Sequence, residues 1–178
     1  MSAQSANVDR NLHDAAWRGD EALVSQLLEQ KAWRAKVDWK GLGDWTALHE
    51  AASNGHTPVV TRLLDAGWSL DTQTRDGATP LTLAAWNAHL ETAKCLLSRK
   101  AKIDAQDEDK RTPLHDASSQ GHSSLLYLLL QCGANQDIRN RKGKTAEEEA
   151  ATDEIRAVFR DFNDKGLKTK MNSSNTEY

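Results

Sequence analysis

The stretch Thr112-Pro-Leu-His-Asp-Ala-Ser118 has two close copies earlier in the chain, Thr46-Ala-Leu-His-Glu-Ala-Ala52 and Thr79-Pro-Leu-Thr-Leu-Ala-Ala85. The leading threonines stand 33 residues apart, and Thr145 continues the series at the same interval. A fixed period of this length is typical of stacked supersecondary units, in which each unit buries its apolar faces only against its neighbours. The sequence therefore predicts a single domain built from such units.

Each copy carries the signals of a helix start. Threonine is a favourable N-cap because its hydroxyl accepts a hydrogen bond from a free backbone N–H of the first turn. Proline is tolerated at the first helical position, where no N–H is needed. The three prolines of the chain, Pro58, Pro80 and Pro113, each follow a threonine, so we interpret all three as helix starts. Gly55 and Gly121 then mark the turn to a second helix.

The second helix of each unit carries an apolar stripe that ends at a glycine. Gly67 and Gly133 follow the last leucines, at the position where a left-handed residue ends many helices. The third unit departs from this pattern, since Lys100 replaces this glycine and Ala88 replaces the glycine of the turn. We expect Lys100 to reduce the stability of its unit by about 1 kcal/mol.

The period and the Thr-Pro-Leu-His-like motif resemble the ankyrin repeat. The resemblance covers about Leu12 to Phe162, and it implies an all-α fold, a solenoid of stacked helix–turn–helix units joined by β-hairpin fingers. Leu12-His-Asp-Ala-Ala16 matches Leu48-His-Glu-Ala-Ala52 with a shift of 36 residues instead of 33. We therefore expect the first finger to be longer than the others.

These units predict the domain organisation of the chain. We expect a disordered N-terminus at 1–10, an ankyrin repeat domain at 11–162 and a disordered tail at 163–178. The domain comprises an N-terminal capping repeat at 11–44, repeats at 45–78, 79–111 and 112–144, and a C-terminal capping repeat at 145–162. The closing helix is predicted to cover the last leucine face with Val158, Phe159 and Phe162.

The composition argues against several classes of function. A net charge of −3 gives no general attraction to phosphate backbones. No apolar run is long enough for a membrane span, and the first residues lack the features of a secretory signal. Two cysteines, Cys95 and Cys132, do not make a disulfide framework. We expect a protein of the cytoplasm, the nucleus or both, monomeric outside its complexes, with protein partners and no membrane insertion.

Catalysis and metal binding find no support in the sequence. The six histidines occupy two repeat positions, which are His13, His49 and His115 in the motif and His56, His89 and His122 after the turn. Periodic placement favours a structural role, and the resemblance implies that the motif histidine forms local hydrogen bonds. The chain shows no phosphate-binding glycine loop and no nucleophile elbow. We expect no enzyme activity, no cofactor and no metal.

The resemblance implies that residues before the motif threonine and after the alanine pair face a concave groove, with the finger tips beside it. The predicted partner-binding residues are Trp17, Arg18, Trp39, Lys40, Trp45, Asn54, Arg75, Asp76, Trp86, Asn87, Glu108, Asp109, Arg111, Gln120, Arg141 and Lys142. Tryptophan and arginine are enriched at interface hot spots. We favour binding for Trp45 and Trp86, leave binding and packing open for Trp17, and favour packing for Trp33 and Trp68.

The charges of the fingers differ between repeats. The third finger, Gln106-Asp-Glu-Asp-Lys-Arg111, is mainly acidic, and the fourth, Arg139-Asn-Arg-Lys-Gly-Lys144, is basic. Neighbouring fingers of opposite charge can simply neutralise one another. Alternatively, the basic finger meets an acidic segment of a partner, and such a field steers encounter more than it sets affinity. The runs 107–109 and 147–149 are most simply solvated faces.

These observations leave more than one function open. The first hypothesis is a non-catalytic module that binds partner proteins as an adaptor, scaffold or stoichiometric regulator. The alternative is a structural subunit of a larger cytoskeletal or organelle assembly. Nucleic-acid binding is disfavoured by the net charge; the residues that would carry it are Arg139, Arg141, Lys142, Lys144, Lys165, Lys168 and Lys170. Hydroxylation of the recurring Asp71, Asp104 and Asp137 is a further possibility.

Overall fold

The computed structural model describes the backbone of residues 3–29 and 40–174, and the side chains of residues 11–29 and 40–164. Within these residues the helices are α1 Ala3–Arg18, α2 Glu21–Glu29, α3 Ala47–Ser53, α4 Thr57–Asp65, α5 Pro80–Trp86, α6 Leu90–Ser98, α7 Pro113–Gln120, α8 Ser123–Gln131 and α9 Asp153–Ser174. A 3-10 helix, Leu42–Asp44, precedes α3. The described chain contains helices and no strand, which confirms the predicted all-α fold.

The helices form two layers. The inner layer consists of α1, α3, α5 and α7, each packed on the next, and the outer layer consists of α2, α4, α6 and α8 in the same order. Each inner helix also packs on the outer helix that follows it. The alanine pairs of the inner helices, such as Ala51-Ala52 and Ala84-Ala85, are fully buried. Their small side chains allow neighbouring helices to approach closely.

The motif threonines start the inner helices as predicted. Thr46 and Thr79 are the N-caps of α3 and α5, and each accepts a hydrogen bond from a backbone N–H of the first turn. One proline is displaced from its predicted position. Pro58 is the second residue of α4, whose N-cap is His56. Thr57 is the first residue of this helix and not its cap, and its hydroxyl lies 2.8 Å from the hydroxyl of Thr92 on α6.

The third unit keeps the backbone of the others without their glycines. Ala88 and Lys100 have φ angles of 63° and 72°, in the left-handed region that favours glycine. At the equivalent turn of the preceding unit, a β-carbon on Gly55 would lie 2.5 Å from the His89 ring. The turn residues of all four units, Gly19, Gly55, Ala88 and Gly121, have positive φ angles, and the third unit adopts this conformation without a glycine.

The C-terminal end of the stack differs from the other units. Thr145 begins a single turn at 146–149, and a second threonine, Thr152, accepts a hydrogen bond from the N–H of Ile155 in the first turn of α9. Thr152 lies seven residues after Thr145, and α9 begins directly after it. Helix α9 covers α8 with the fully buried Phe159, the buried Ile155 and the half-buried Val158 and Phe162.

The terminal helices extend beyond the predicted domain boundaries. The backbone of α1 begins at Ala3, within the segment 1–10, and α9 continues to Ser174, within the segment 163–178. Residues 3–10 contain no proline or glycine, so nothing in them interrupts a helix that continues into Leu12. Residues 30–39, which form most of the predicted longer finger and include Trp33 and Trp39, lie outside the described residues.

Candidate functional site

The motif histidines connect each inner helix to the finger that follows it. The N–H of Thr46 donates to Nδ1 of His49, so the other ring nitrogen carries the proton and donates to the carbonyl of Thr72 at 2.9 Å. His115 makes the same two contacts, with Thr112 and with the carbonyl of Lys144. Burial lowers the pKa of His49 to about 4 and also lowers the pKa of His115. These neutral histidines are structural, as their periodic placement predicts.

The fingers are tight turns that are linked to one another through their backbones. Each turn closes with a backbone hydrogen bond, such as that from the N–H of Thr74 to the carbonyl of Ala78. Neighbouring fingers are joined by three more backbone bonds, from Arg75 to Gly43, from Glu108 to Asp76, and from Arg141 to Asp109. The side chains at these tips are exposed. The array therefore holds the tips in a fixed row while their side chains face solvent.

The recurring aspartates after the outer helices also join neighbouring units. A carboxylate oxygen of Asp71 accepts the backbone N–H of Lys102 at 2.9 Å, and Asp104 accepts that of Asn135 at 2.9 Å. Each bond spans 31 residues, from one unit to the next. The periodicity of these aspartates thus has a structural explanation that sequence reasoning missed.

The predicted groove residues after the alanine pairs form one row at the ends of the inner helices. They are Trp17, Arg18, Asn54, Trp86, Asn87 and Gln120, and all are exposed. Trp17 and Trp86 keep 56% and 47% of their surface accessible. The two asparagines also cap their own helices, since each side-chain amide donates to a backbone carbonyl four residues earlier. The two tryptophans therefore present the large apolar surface of this row.

The first finger contributes less to the groove than the sequence predicts. Trp45 is half-buried, and its ring centroid lies 6.1 Å from that of His49. Lys40 donates to the carbonyl of Gln73 at 3.3 Å and so contacts the second finger. Trp39 lies outside the described residues. Trp68 is 4% exposed and belongs to the core, as the packing interpretation predicts.

Arg111 lies at the centre of a polar network that the sequence analysis did not identify. Its guanidinium donates to Asp116 at 2.9 Å, to Glu149 at 2.5 Å and to the hydroxyl of Ser119 at 2.8 Å. The Arg111 side chain is only 17% exposed and that of Glu149 only 11%, so Glu149 is not the solvated residue expected from its acidic run. We call these four residues the Arg111 network; it joins the third finger, α7 and the C-terminal turn.

The charges of the Arg111 network depend on one another. Burial raises the pKa of Asp116 to about 7, although the neighbouring Arg111 guanidinium lowers it. Burial also disfavours the charged form of Arg111, but Asp116 and Glu149 outweigh it and raise the pKa of the guanidinium. Asp116 is thus the member whose charge responds to pH near neutrality. The sequence offers one sign of this role, since Asp116 occupies the repeat position that Leu83 holds one unit earlier.

A cavity of about 470 Å³ opens on the groove between α5 and the third finger. Leu83 and Trp86 of α5 contribute apolar lining, and Asp107 and Asp109 of the third finger contribute carboxylates. Three members of the Arg111 network, Arg111, Asp116 and Ser119, also line it. We call this space the Trp86 cavity. It brings together three predicted site residues, namely Trp86, Asp109 and Arg111.

The remaining charged candidates lie along the fingers. Arg75, Asp76, Glu108 and Lys142 are exposed, and the Arg141 guanidinium lies 3.8 Å from the Asp109 carboxylate. Arg139 pairs with Glu148 at 2.9 Å. Among the described residues, no group of three or more His, Cys, Asp or Glu side chains could hold a metal ion. Within the same part of the chain, every helix is too short or too polar to cross a membrane.

Comparison with known proteins matches the chain to repeat arrays of the kind described above. A family described as "Ankyrin repeats (3 copies)" matches residues 12–107, and "Ankyrin repeats (many copies)" matches residues 87–130. The chain is 37% identical over 74 residues to human Ankyrin repeat domain-containing protein 39, which covers 42% of this chain and 39% of that protein. It is 30% identical over 81 residues to Tyrosine-protein kinase HTK16 of Hydra vulgaris, covering 46% of this chain and 11% of the kinase.

The chain thus spans well under half the length of either relative, and the short match to the kinase carries no conclusion about activity. The family match is broader, because residues 12–107 are more than half of the 178 residues. The matched span contains the helix pairs α3/α4 and α5/α6 and the capping threonines Thr46 and Thr79. The chain therefore belongs to the ankyrin repeat family, whose arrays are protein–protein interaction modules.

Proposed function

We propose that this protein is a non-catalytic adaptor, scaffold or stoichiometric regulator that binds partner proteins through its concave groove and finger tips. The observation that carries the proposal is the exposure of Trp17 and Trp86 on one row of the groove. Buried aromatic anchors dominate the energetics of many interfaces, and exposed tryptophans held on rigid helices suit that role. We place this function in the cytoplasm or nucleus, where the free Cys95 and Cys132 remain reduced.

The spacing of the two tryptophans suits a partner that lies across several repeats. Trp17 and Trp86 are separated by one intervening unit, which carries Ser53 at the equivalent position. Packed helices lie about 8–10 Å apart, so two anchors two repeats apart are separated by roughly 16–20 Å. A protein partner rather than nucleic acid is favoured, because the basic Arg139 and Arg141 face the carboxylates of Glu148 and Asp109.

The test is affinity purification with mass spectrometry from cells that express the full chain. The variant Trp17→Ser/Trp86→Ser installs the residue that the intervening unit already carries, so the fold is expected to persist, which circular dichroism checks. The matched control is Leu23→Ser on the outer helix α2, where an apolar side chain is 36% exposed. Selective loss of a partner from the double variant supports groove binding. Retention of every partner by the double variant contradicts it.

A further inference from the structure

The Trp86 cavity combines an aromatic wall with carboxylates. Trp86 and Leu83 supply apolar surface, and Asp107 and Asp109 supply negative charge in the same lining. The electron-rich face of a tryptophan attracts cations within about 6 Å of the ring centre. Carboxylates bind arginine and lysine side chains through charge-assisted hydrogen bonds. A cationic side chain with an apolar stem matches both parts of this lining.

The guanidinium of Arg111 does not satisfy this negative charge. It contacts two carboxylates, Asp116 and Glu149, and donates a further hydrogen bond to Ser119. Its positive charge is therefore offset inside the Arg111 network. With Asp116 and Glu149 beside Arg111 the network carries no net positive charge, so the carboxylates of Asp107 and Asp109 make the lining of the cavity negative.

The two remaining carboxylates have contacts that leave room for a ligand. One oxygen of Asp107 accepts the backbone N–H of Arg111 at 2.8 Å, which holds the carboxylate in place. Asp109 lies 3.8 Å from Arg141, but these side chains are 70% and 67% exposed. Exposed pairs of this kind contribute little free energy, so an incoming cation can displace Arg141 from Asp109.

We infer that the Trp86 cavity binds an arginine or lysine side chain from a basic segment of a protein partner. The inference rests on the proposed groove function and specifies the chemistry of the partner. It differs from the pairing of the basic fourth finger with an acidic segment that the sequence analysis considered. The basic residue lies against Trp86, and its charged group contacts Asp109 in place of Arg141.

The test measures fluorescence anisotropy of fluorescein-labelled nona-arginine and nona-glutamate peptides titrated with the full chain. We expect the wild type to bind the arginine peptide, with an affinity that falls as salt rises. Trp86→Ser should weaken binding about tenfold and Asp109→Asn about fivefold, given the size of cation–π and charged contacts. Asp107 is left unchanged because its carboxylate holds the turn.

The matched control is Asp76→Asn, which removes the same charge from the equivalent position of the second finger, outside the lining of the cavity. We expect it to change the affinity by less than about twofold, since exposed charges are screened over roughly a Debye length. A heteronuclear NMR spectrum locates the contact independently. The indole N–H signal that disappears in Trp86→Ser should shift when the wild type binds the arginine peptide.

Three results would overturn the inference. The first is that the wild type does not bind the arginine peptide. The second is that it binds the glutamate peptide more tightly than the arginine peptide. The third is that Asp76→Asn and Asp109→Asn change the affinity for the arginine peptide equally. None of them tests the proposed function, which depends on partner capture by Trp17 and Trp86. A partner lost from the Trp17→Ser/Trp86→Ser variant together with one of these results would leave the groove function standing and exclude a cationic ligand.

Discussion

The units that begin at Thr79 and Thr112 share a backbone and differ in what they present to the groove. Three equivalent positions differ between them, Ala78, Leu83 and Trp86 in the first and Arg111, Asp116 and Ser119 in the second. In the Thr79 unit these residues form the apolar side of the Trp86 cavity, which the three residues of the Thr112 unit also line. In the Thr112 unit they hold a buried ionic network that reaches the C-terminal turn. The repeated positions determine the fold, whereas these three positions are apolar in one unit and form a buried ionic network in the next.

Removing the centre of the Arg111 network should have the largest effect. Asp116 is 2% exposed, so Arg111→Ala leaves a buried carboxylate without its guanidinium. We expect the free energy of unfolding to fall by roughly 2–4 kcal/mol at pH 8. The loss should shrink below pH 7, because the raised pKa lets Asp116 take up a proton in the folded state, and it should grow as pH rises through that pKa. Urea denaturation at pH 8 and pH 5.5 measures both.

The control for this variant is Arg141→Ala, whose exposed pair with Asp109 should contribute less than about 0.5 kcal/mol. A loss in Arg111→Ala no larger than in this control would contradict the buried network.

The double variant Arg111→Ala/Asp116→Leu replaces both residues by their equivalents in the Thr79 unit. We expect it to recover at least half of the loss, because apolar replacements of buried ion pairs are often tolerated. A double variant as unstable as Arg111→Ala would show that the apolar residues of the Thr79 unit cannot replace the buried ion pair.

A second difference between units concerns the residue that completes the capping of the inner helix. His49 has this role after Thr46, and Thr82 has it after Thr79, where its hydroxyl accepts the N–H of Thr79 at 3.3 Å. The folded-state pKa of His49, about 4, lies below the usual 6.5. The neutral ring therefore stabilises the fold fully above pH 6.5, and this contribution is lost as pH falls towards 4.

His49→Thr copies the Thr79 unit and should remove this pH dependence. We expect the wild type to lose about 2–3 kcal/mol relative to the variant between pH 7 and pH 4. The measurement is the difference in unfolding free energy between the two proteins across that range. Both proteins contain Asp116, whose pH dependence has the opposite sign, so its contribution cancels in this difference. His56→Thr is the control, since His56 lies outside the core and donates to the carbonyl of Trp17. Parallel pH profiles for wild type and His49→Thr would refute the assignment.

Sequence reasoning identified the parts of the molecule that repeat. The spacing of the threonines fixes the helix starts, because each cap satisfies its own first turn through local contacts. The Arg111 network was missed, because Arg111 and Glu149 are 38 residues apart and meet only when the C-terminal turn packs on α7. Two bonds fix that packing, from Ser118 to the carbonyl of Ala146 and from the N–H of Ala151 to the carbonyl of Ser118.

The exposure of individual groove residues was predictable only in part. Trp17 and Trp86 occupy the position that the register assigns to the groove, and they are exposed there. Trp45 is also placed by the register, but its ring lies against His49 and is half-buried. Trp45 directly precedes the motif threonine, whereas Trp17 and Trp86 follow the alanine pair, and the spacing of residues along the chain does not determine how exposed each position is.

The smallest expected change in stability concerns the residue that ends the outer helix, which is Lys100 in the Thr79 unit and glycine in its neighbours. Lys100 holds a φ of 72°, where Gly67 and Gly133 stand in the neighbouring units. Lys100→Gly should raise the free energy of unfolding by about 1 kcal/mol, because glycine adopts this conformation without strain. Lys94→Gly makes the same change within α6 and should lower stability by about 1 kcal/mol, since glycine is unfavourable inside a helix. Thermal unfolding of both variants should therefore show shifts of opposite sign, and a destabilised Lys100→Gly would mean that the lysine side chain contributes more than its backbone conformation loses.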